Sequence, residues 1–422
     1  MEFIAEYIML AGSVMIMLSI VASKMSSRFS IPVLAVFLFV GMLAGSEGIG
    51  KIQFDNVDFA KTLGIIALSF ILFSGGLDTN FKRTRIVMWP AITLASVGVL
   101  LSAVIVGLLV WLVLGRGMME SFLLGAVISS TDAAAVFSIL RSRNVKLRGT
   151  LKPLLELESA SNDPSAVFLT IIVIQIMTMP TLNFASVTIL FLKQIFWGVT
   201  LGLGISRLLE VIIRRLDLQY EGLYPVLTFS FVLFTYSITS LLDGNGFLAV
   251  FLMGLNLSRF DLRHKSNLIT FHDSIAWLMQ AVMFLTLGLL VYPSRLMDVA
   301  LEGIVVALIL FFIARPIAVF ACLKPFGNTL KEKILISWVG LRGAAPIVLA
   351  TFPLTEHVKG AEFIFNIVFF VVLLSVLIQG TTITGVARKL DLDASADAEQ
   401  IAPEDDEKEK EIKTEEDANY QS

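Results

Sequence analysis

Apolar stretches long enough to cross a bilayer recur along almost the whole chain. A helix rises ~1.5 Å per residue and the hydrocarbon layer is ~30 Å thick, so about 20 apolar residues make one crossing. Candidates centre on residues 3–23, 31–45, 58–76, 87–113, 118–140, 154–179, 185–213, 222–242, 246–258, 274–292, 297–322, 334–353 and 362–387. They leave no room for a soluble domain before residue 390. Only 16% of residues are charged and 56% are hydrophobic, where a soluble chain is about 25% charged. Cys322 is the only cysteine, so no disulfide framework exists. The expected fold class is an all-α polytopic membrane protein of about 13 transmembrane helices.

The formal net charge of −3 hides a split. Residues 391–422 hold 13 acids and 3 lysines, while the first 390 carry 22 acids against 29 bases. Residues 1–390 therefore form the transmembrane unit. Residues 391–422 read as an acidic, disordered cytoplasmic tail, with a regulatory contact as its one candidate role. Counted over alternate loops, 20 Lys and Arg fall on one side of the membrane and 4 on the other. The positive-inside rule then puts the N-terminus outside and the C-terminus in the cytoplasm. Glu2 and Glu6 deny the N-terminus the positive charge of a cleaved secretory signal.

Charge at the bilayer centre costs on the order of 2.5–3.5 kcal/mol even on lenient scales. This chain places Asp132, Glu158, Asp163, Arg315 and Arg342 in one depth band near the midplane. Such groups need partners or a water-filled cavity. Glu158 and Arg342 are expected to pair. Asp163 has no evident counter-ion, with Asn162 before it and Pro164 after it. Pro164 is expected to free the carbonyl of Ala160 and to bias Asp163 away from helical dihedrals. Ser159 shares the Asp163 face of its helix, four residues back. Hard monovalent cations favour such a set of oxygens.

The fifth stretch is interrupted by Ser129, Ser130, Thr131 and Asp132, and the twelfth by the run from Gly340 to Pro346. If residues 3–179 and 222–387 form two six-helix halves, an odd connecting span inverts one relative to the other. The interruptions then occupy corresponding positions. Paired interruptions in inverted halves mark a midplane transport site built from broken helices. Asp132 is suited to offset positive half-helix N-termini, and Arg315 or Arg342 the negative C-termini.

At these residues the chain resembles a known family. STDAAAVFSIL (130–140), ESASNDPSAVF (158–168) and ISWVGLRGAAPIVLATFP (336–353) are similar to NhaP-type members of the cation:proton antiporter-1 family. The similarity is closest to the bacterial potassium/proton branch. The resemblance implies that Asp163 binds a proton or a cation in turn, with Asn162 beside it. Thr131, Asp132 and Ser159 would complete the ion site, and Glu158 and Arg342 would form a structural pair. Arg315, before Pro316, resembles a basic residue near the core of related antiporters. It also implies a homodimer, an elevator-like core moving against a dimerisation domain, and a bacterial inner-membrane location.

Two positions depart from the pattern. Ala133 stands where many members have proline, and Ser74 stands where sodium-handling relatives often place an acid. The branch resemblance and Ser74 make K+ exchanged for H+ the expected cargo, with Na+ or Li+ as the alternative, and Asn162 in place of a second acid makes the expected exchange one for one. A cation channel or a transport-inactive sensor is the distant alternative; no carbonyl-filter string is present. No enzyme activity, cofactor or nucleic-acid partner is expected. His264 and His272 read as solvated loop histidines, and with His357 they make no zinc cluster.

Overall fold

The computed structural model describes residues 4–29, 33–79, 81–179, 184–216, 218–260 and 265–395. These are almost wholly helical. The first group is α1 (Ile4–Phe29), α2 (Val33–Ala44), α3 (Val57–Asp78), α4 (Phe81–Thr93) and α5 (Val99–Leu114). It is followed by α6 (Met118–Val127), α7 (Ala133–Ser142), α8 (Leu151–Thr178), α9 (Phe184–Arg215), α10 (Leu223–Leu241) and α11 (Gly246–Leu257). The remainder is α12 (Lys265–Leu289), α13 (Pro293–Asp298), α14 (Ala300–Leu308), α15 (Arg315–Cys322), α16 (Leu330–Trp338), α17 (Ala344–Thr355), α18 (Ala361–Leu374) and α19 (Gly380–Lys389). Single π turns join α4 to α5, α14 to α15 and α18 to α19, so each pair runs on as one rod.

Among the described residues, eight helices are long and apolar enough to cross a membrane, and shorter apolar helices lie beside them. Their ends follow local chemistry. Asn56 caps α3 by accepting from the amide of Phe59 at 2.9 Å. Thr329 and Glu332 form a reciprocal capping box at α16. Gly115, at φ +64°, ends α5 in the left-handed conformation.

Two hydrophobic clusters organise the bundle. The larger unites α4–α8 with α14–α19 and reaches α2, α3 and α12. The smaller joins α3 to α9–α12 through Phe70, Phe73, Leu209, Tyr224 and Met253. Within the second group α11 is fixed tightly. A Cβ on Gly254 would overlap the carbonyl of Phe73, and one on Gly202 would lie 2.6 Å from that of Ala249. Backbones therefore touch directly, as small residues permit between membrane helices.

Two sequence expectations change here. The α8 helix passes unbroken through Asn162, Asp163 and Pro164. Proline removes one hydrogen bond, and packing on both sides outweighs that loss. His272 is not in a loop: α12 begins at Lys265, and His272 is fully buried within it. Its Nε2 lies 2.7 Å from the Thr228 hydroxyl. His264 and residues 396–422 lie outside the described residues.

Candidate functional site

The helix breaks at 128–132 and 339–343 meet in the interior. The Asp132 amide donates to the Leu341 carbonyl at 2.8 Å, joining the two extended segments. Gly343 is required there, because a Cβ would collide with the Asp132 carboxylate. Asp132 caps α7 by accepting from Ala135 N at 3.0 Å. Its carboxylate thus lies at the N-termini of both α7 and α17, where the partial charge is positive.

The negative ends have matching cations. Arg342 donates through Nη1 to the carbonyls of Ser129 (2.7 Å) and Ser130 (2.5 Å), just past the C-terminus of α6. Arg315 reaches the Ile336 carbonyl in the last turn of α16 at 3.4 Å. Arg315 also forms a two-pronged ion pair with Glu158, Nη1 to Oε1 at 2.7 Å and Nη2 to Oε2 at 3.0 Å. The expected Glu158–Arg342 pair is therefore replaced by Glu158–Arg315. Arg342 satisfies its charge with backbone carbonyls.

The polar turn of α8 holds the first break in shape. Asn162 donates to the Thr131 hydroxyl at 2.5 Å and accepts from the Thr131 amide at 3.3 Å. Ser159 donates to the Thr131 carbonyl at 2.9 Å and accepts from Ala133 N at 2.8 Å. One lone pair remains on the Ser159 hydroxyl and one on the Thr131 carbonyl.

Asp163 forms no ion pair among the described residues. Its Oδ1 is buried without a hydrogen-bond partner among the described residues. It borders a cavity of about 620 Å³, together with Ser74, Thr131, Asp132 and Ser159. The cavity extends along α7 and α8 to Arg141, Lys146 and Lys152. In the opposite direction α3 closes on α17. Val348 packs against Gly64, and Lys61 donates to the Thr355 hydroxyl at 2.8 Å.

The sequence-predicted residues Asp163, Asp132, Thr131, Ser159 and Ser74 thus share one cavity wall. Asn162, Glu158, Arg315 and Arg342 lie behind it as supports. Sequence reading missed Gln280 and Asp273, which line the same cavity from α12. A lone amide within the apolar α12 run was the available signal for Gln280. The arrangement can hold one small cation or one proton at a carboxylate reached from a single side.

The chain matches the family described as sodium/hydrogen exchanger, transmembrane, over residues 14–389. It is 43% identical over 407 residues to the K(+)/H(+) antiporter NhaP of Alkalimonas amylolytica, across 96% of this chain and 71% of that one. It is 41% identical over 382 residues to the K(+)/H(+) antiporter NhaP2 of Shewanella sp. (strain ANA-3), across 90% of this chain and 66% of that one. The sodium proton antiporter MjNhaP1 from Methanocaldococcus jannaschii shares the fold, with a TM-score of 0.81 at 24% identity over 91% of this chain and 99% of that one. The match runs through both helix breaks and the helix of Asp163, and on it the chain belongs to the sodium/hydrogen exchanger family of transmembrane proteins.

Proposed function

We propose that this chain exchanges K+ for H+ across the bacterial inner membrane, one for one, at Asp163. The observation that carries the reading is that Asp163 lines the cavity with no ion-pair partner among the described residues, while its Oδ1 is buried without a hydrogen bond. Thr131, Ser159 and Asn162 beside it are engaged in holding the first helix break. A deprotonated Asp163 takes a cation, helped by the remaining lone pairs of Ser159 and Thr131. A protonated Asp163 does not. Either filled state is near neutral, while the bare anion is held back by the cost of moving charge through low dielectric. Exchange is then obligatory. Asn162, being neutral, contributes no second charge, so the cycle is electroneutral.

The choice of K+ rests on the names of the two relatives and on Ser74, which adds a hydroxyl where an acid would add charge. The finer architecture belongs to the same proposal. Counting each broken pair as one crossing gives thirteen, arranged as inverted halves, with the N-terminus outside and the C-terminus in the cytoplasm. The cavity then faces the cytoplasm. Alternating access moves the group of α8 and the breaks against α3 and α9–α12 in a homodimer.

The test is exchange in proteoliposomes, read by a pH-gradient dye while K+, Na+, Li+ and Rb+ are titrated at several pH values. K+ should collapse the gradient at the lowest concentration, and Asp163→Asn should remove the response. Exchange retained in that variant would take Asp163 out of the central role. Lower half-saturation by Na+ would make the cargo sodium. An equilibrium that follows an imposed membrane potential would end the one-for-one stoichiometry.

A further inference from the structure

Asn245 lies in the short segment between α10 and α11 and is buried, 7% exposed. Both ends of its side-chain amide are bonded. Oδ1 accepts from the Leu248 amide at 3.0 Å and caps α11. Nδ2 donates to the carbonyl of Pro164 at 2.9 Å. Its backbone amide donates to the Gln194 carbonyl of α9 at 3.1 Å. One residue thus ties α9 and α11 to α8, immediately after Asp163 in sequence.

The two sides of this tie differ in what holds them. α11 is locked to α3 and α9 by backbone contact at Gly254 and Gly202. α8 is bonded to the helix break through Ser159 and Asn162. A helix carbonyl keeps a second lone pair after its own helical bond, so Pro164 can be gripped and released without unwinding α8. The bond therefore joins the body that carries Asp163 to the frame beside it.

We propose that Asn245 is a positioning residue, a latch whose bond to the Pro164 carbonyl favours the state with the cavity open towards Arg141 and Lys152, and which releases when Asp163 is carried to the other side. The inference rests on the antiport reading for its functional meaning. Its rival is a plain helix cap. Serine separates the two: Asn245→Ser keeps an oxygen for the Leu248 amide but cannot reach Pro164, whereas Asn245→Ala loses both bonds.

The readout is the conformational equilibrium itself. Cys322 is the only cysteine, so a Cys322→Ala background accepts single reporters. Ser138→Cys reports the open cavity wall. Val348→Cys reports the packed α3–α17 side, where Val348 is 0% exposed. Full-chain proteins in proteoliposomes are labelled with a small maleimide, and the labelling rate at 138 is divided by that at 348. A typical neutral hydrogen bond shifts an equilibrium about fivefold, so Asn245→Ser and Asn245→Ala should each lower the ratio by about that factor. A ratio unchanged by Asn245→Ser, with or without an effect of Asn245→Ala, overturns the latch. Labelling does not depend on transport. Loss of the ratio with no cation-driven proton flux in the parent would support the latch and sink the exchange reading. Flux with an unmoved ratio does the reverse.

Discussion

Glu158 and Asp163 are carboxylates five residues apart on one helix, and the protein treats them oppositely. Glu158 is 1% exposed and ion-paired with Arg315, which donates a hydrogen bond to Oε2 and lies 2.7 Å from Oε1. Asp163 borders the cavity with one oxygen unpartnered. The first is a structural charge whose removal strands a buried cation. The second is a charge left unpaid for by the fold, which makes it available to a ligand. The contrast teaches that intramembrane acids divide by what remains unsatisfied, since depth and residue type are shared.

Stability measurements can break this contrast, and the largest effect belongs to the clasped pair. Removing one partner of a buried ion pair costs about 3–5 kcal/mol. Arg315→Met should lower the melting temperature of the purified protein accordingly, and Glu158→Gln added to it should recover most of the loss. Asp163→Asn should change stability by no more than about 1 kcal/mol, because it breaks no ion pair among the described residues. Equal losses from Arg315→Met and Asp163→Asn would erase the distinction.

The next effect sharpens where the free carboxylate sits. Gly343→Ala puts a methyl against Asp132, and overpacking of this kind costs about 1–3 kcal/mol. Cation half-saturation should rise along with the loss of stability, since Asp132 and Asp163 share the wall. A stable variant with unchanged half-saturation would separate the two helix breaks from the site. Ser159→Ala comes third. It removes two hydrogen bonds to the first break, about 1 kcal/mol each, and one proposed cation ligand. Exchange should weaken more than folding does, as seen by comparing half-saturation with the melt.

Much of this was legible in the sequence. Hydropathy located the helical stretches, and runs of Ser, Thr, Asp and Gly located both breaks, because polar backbone is tolerated at that depth only where it is buried or lines a cavity. The partner of Glu158 was not legible. Arg315 and Arg342 lie at similar depths, and depth leaves open which helix face each occupies. His272 was misread because α12 starts at Lys265, several residues before its apolar run declares itself. Pro164 suggested non-helical dihedrals at Asp163, yet α8 runs on through it, because one missing amide costs less than the packing and side-chain bonds that hold the helix. Asn245 drew no notice in the sequence, since its amide bonds a carbonyl 81 positions away.

The smallest expected effect concerns the exit of the chain, where the first tail residues are docked on the cavity's border. Leu147 and Asp393 form an antiparallel bridge. Arg148 N donates to the Leu392 carbonyl at 3.0 Å, and Ala394 N donates to that of Lys146 at 2.7 Å. Lys146 N donates to the Asp393 carboxylate at 3.3 Å. Desolvation opposes the charge of Asp393, but hydrogen bonds from Ser395, Arg388 and Lys146 outweigh it and hold its carboxyl below the usual range. A depressed acid contributes stability that is present above its unfolded pKa and is lost as pH falls through the folded one. Hydrogen-exchange protection at the Lys146 and Arg148 amides should therefore hold at neutral pH and collapse below the ordinary carboxylate range. Asp393→Asn should flatten that dependence without altering protection around Glu158. Because Val145, Lys146 and Leu147 line the cavity that leads to Asp163, a change in exchange rate accompanying the collapse would tie this docking to the ion path. Protection at 146 and 148 indifferent to pH would show the carboxylate to be idle there.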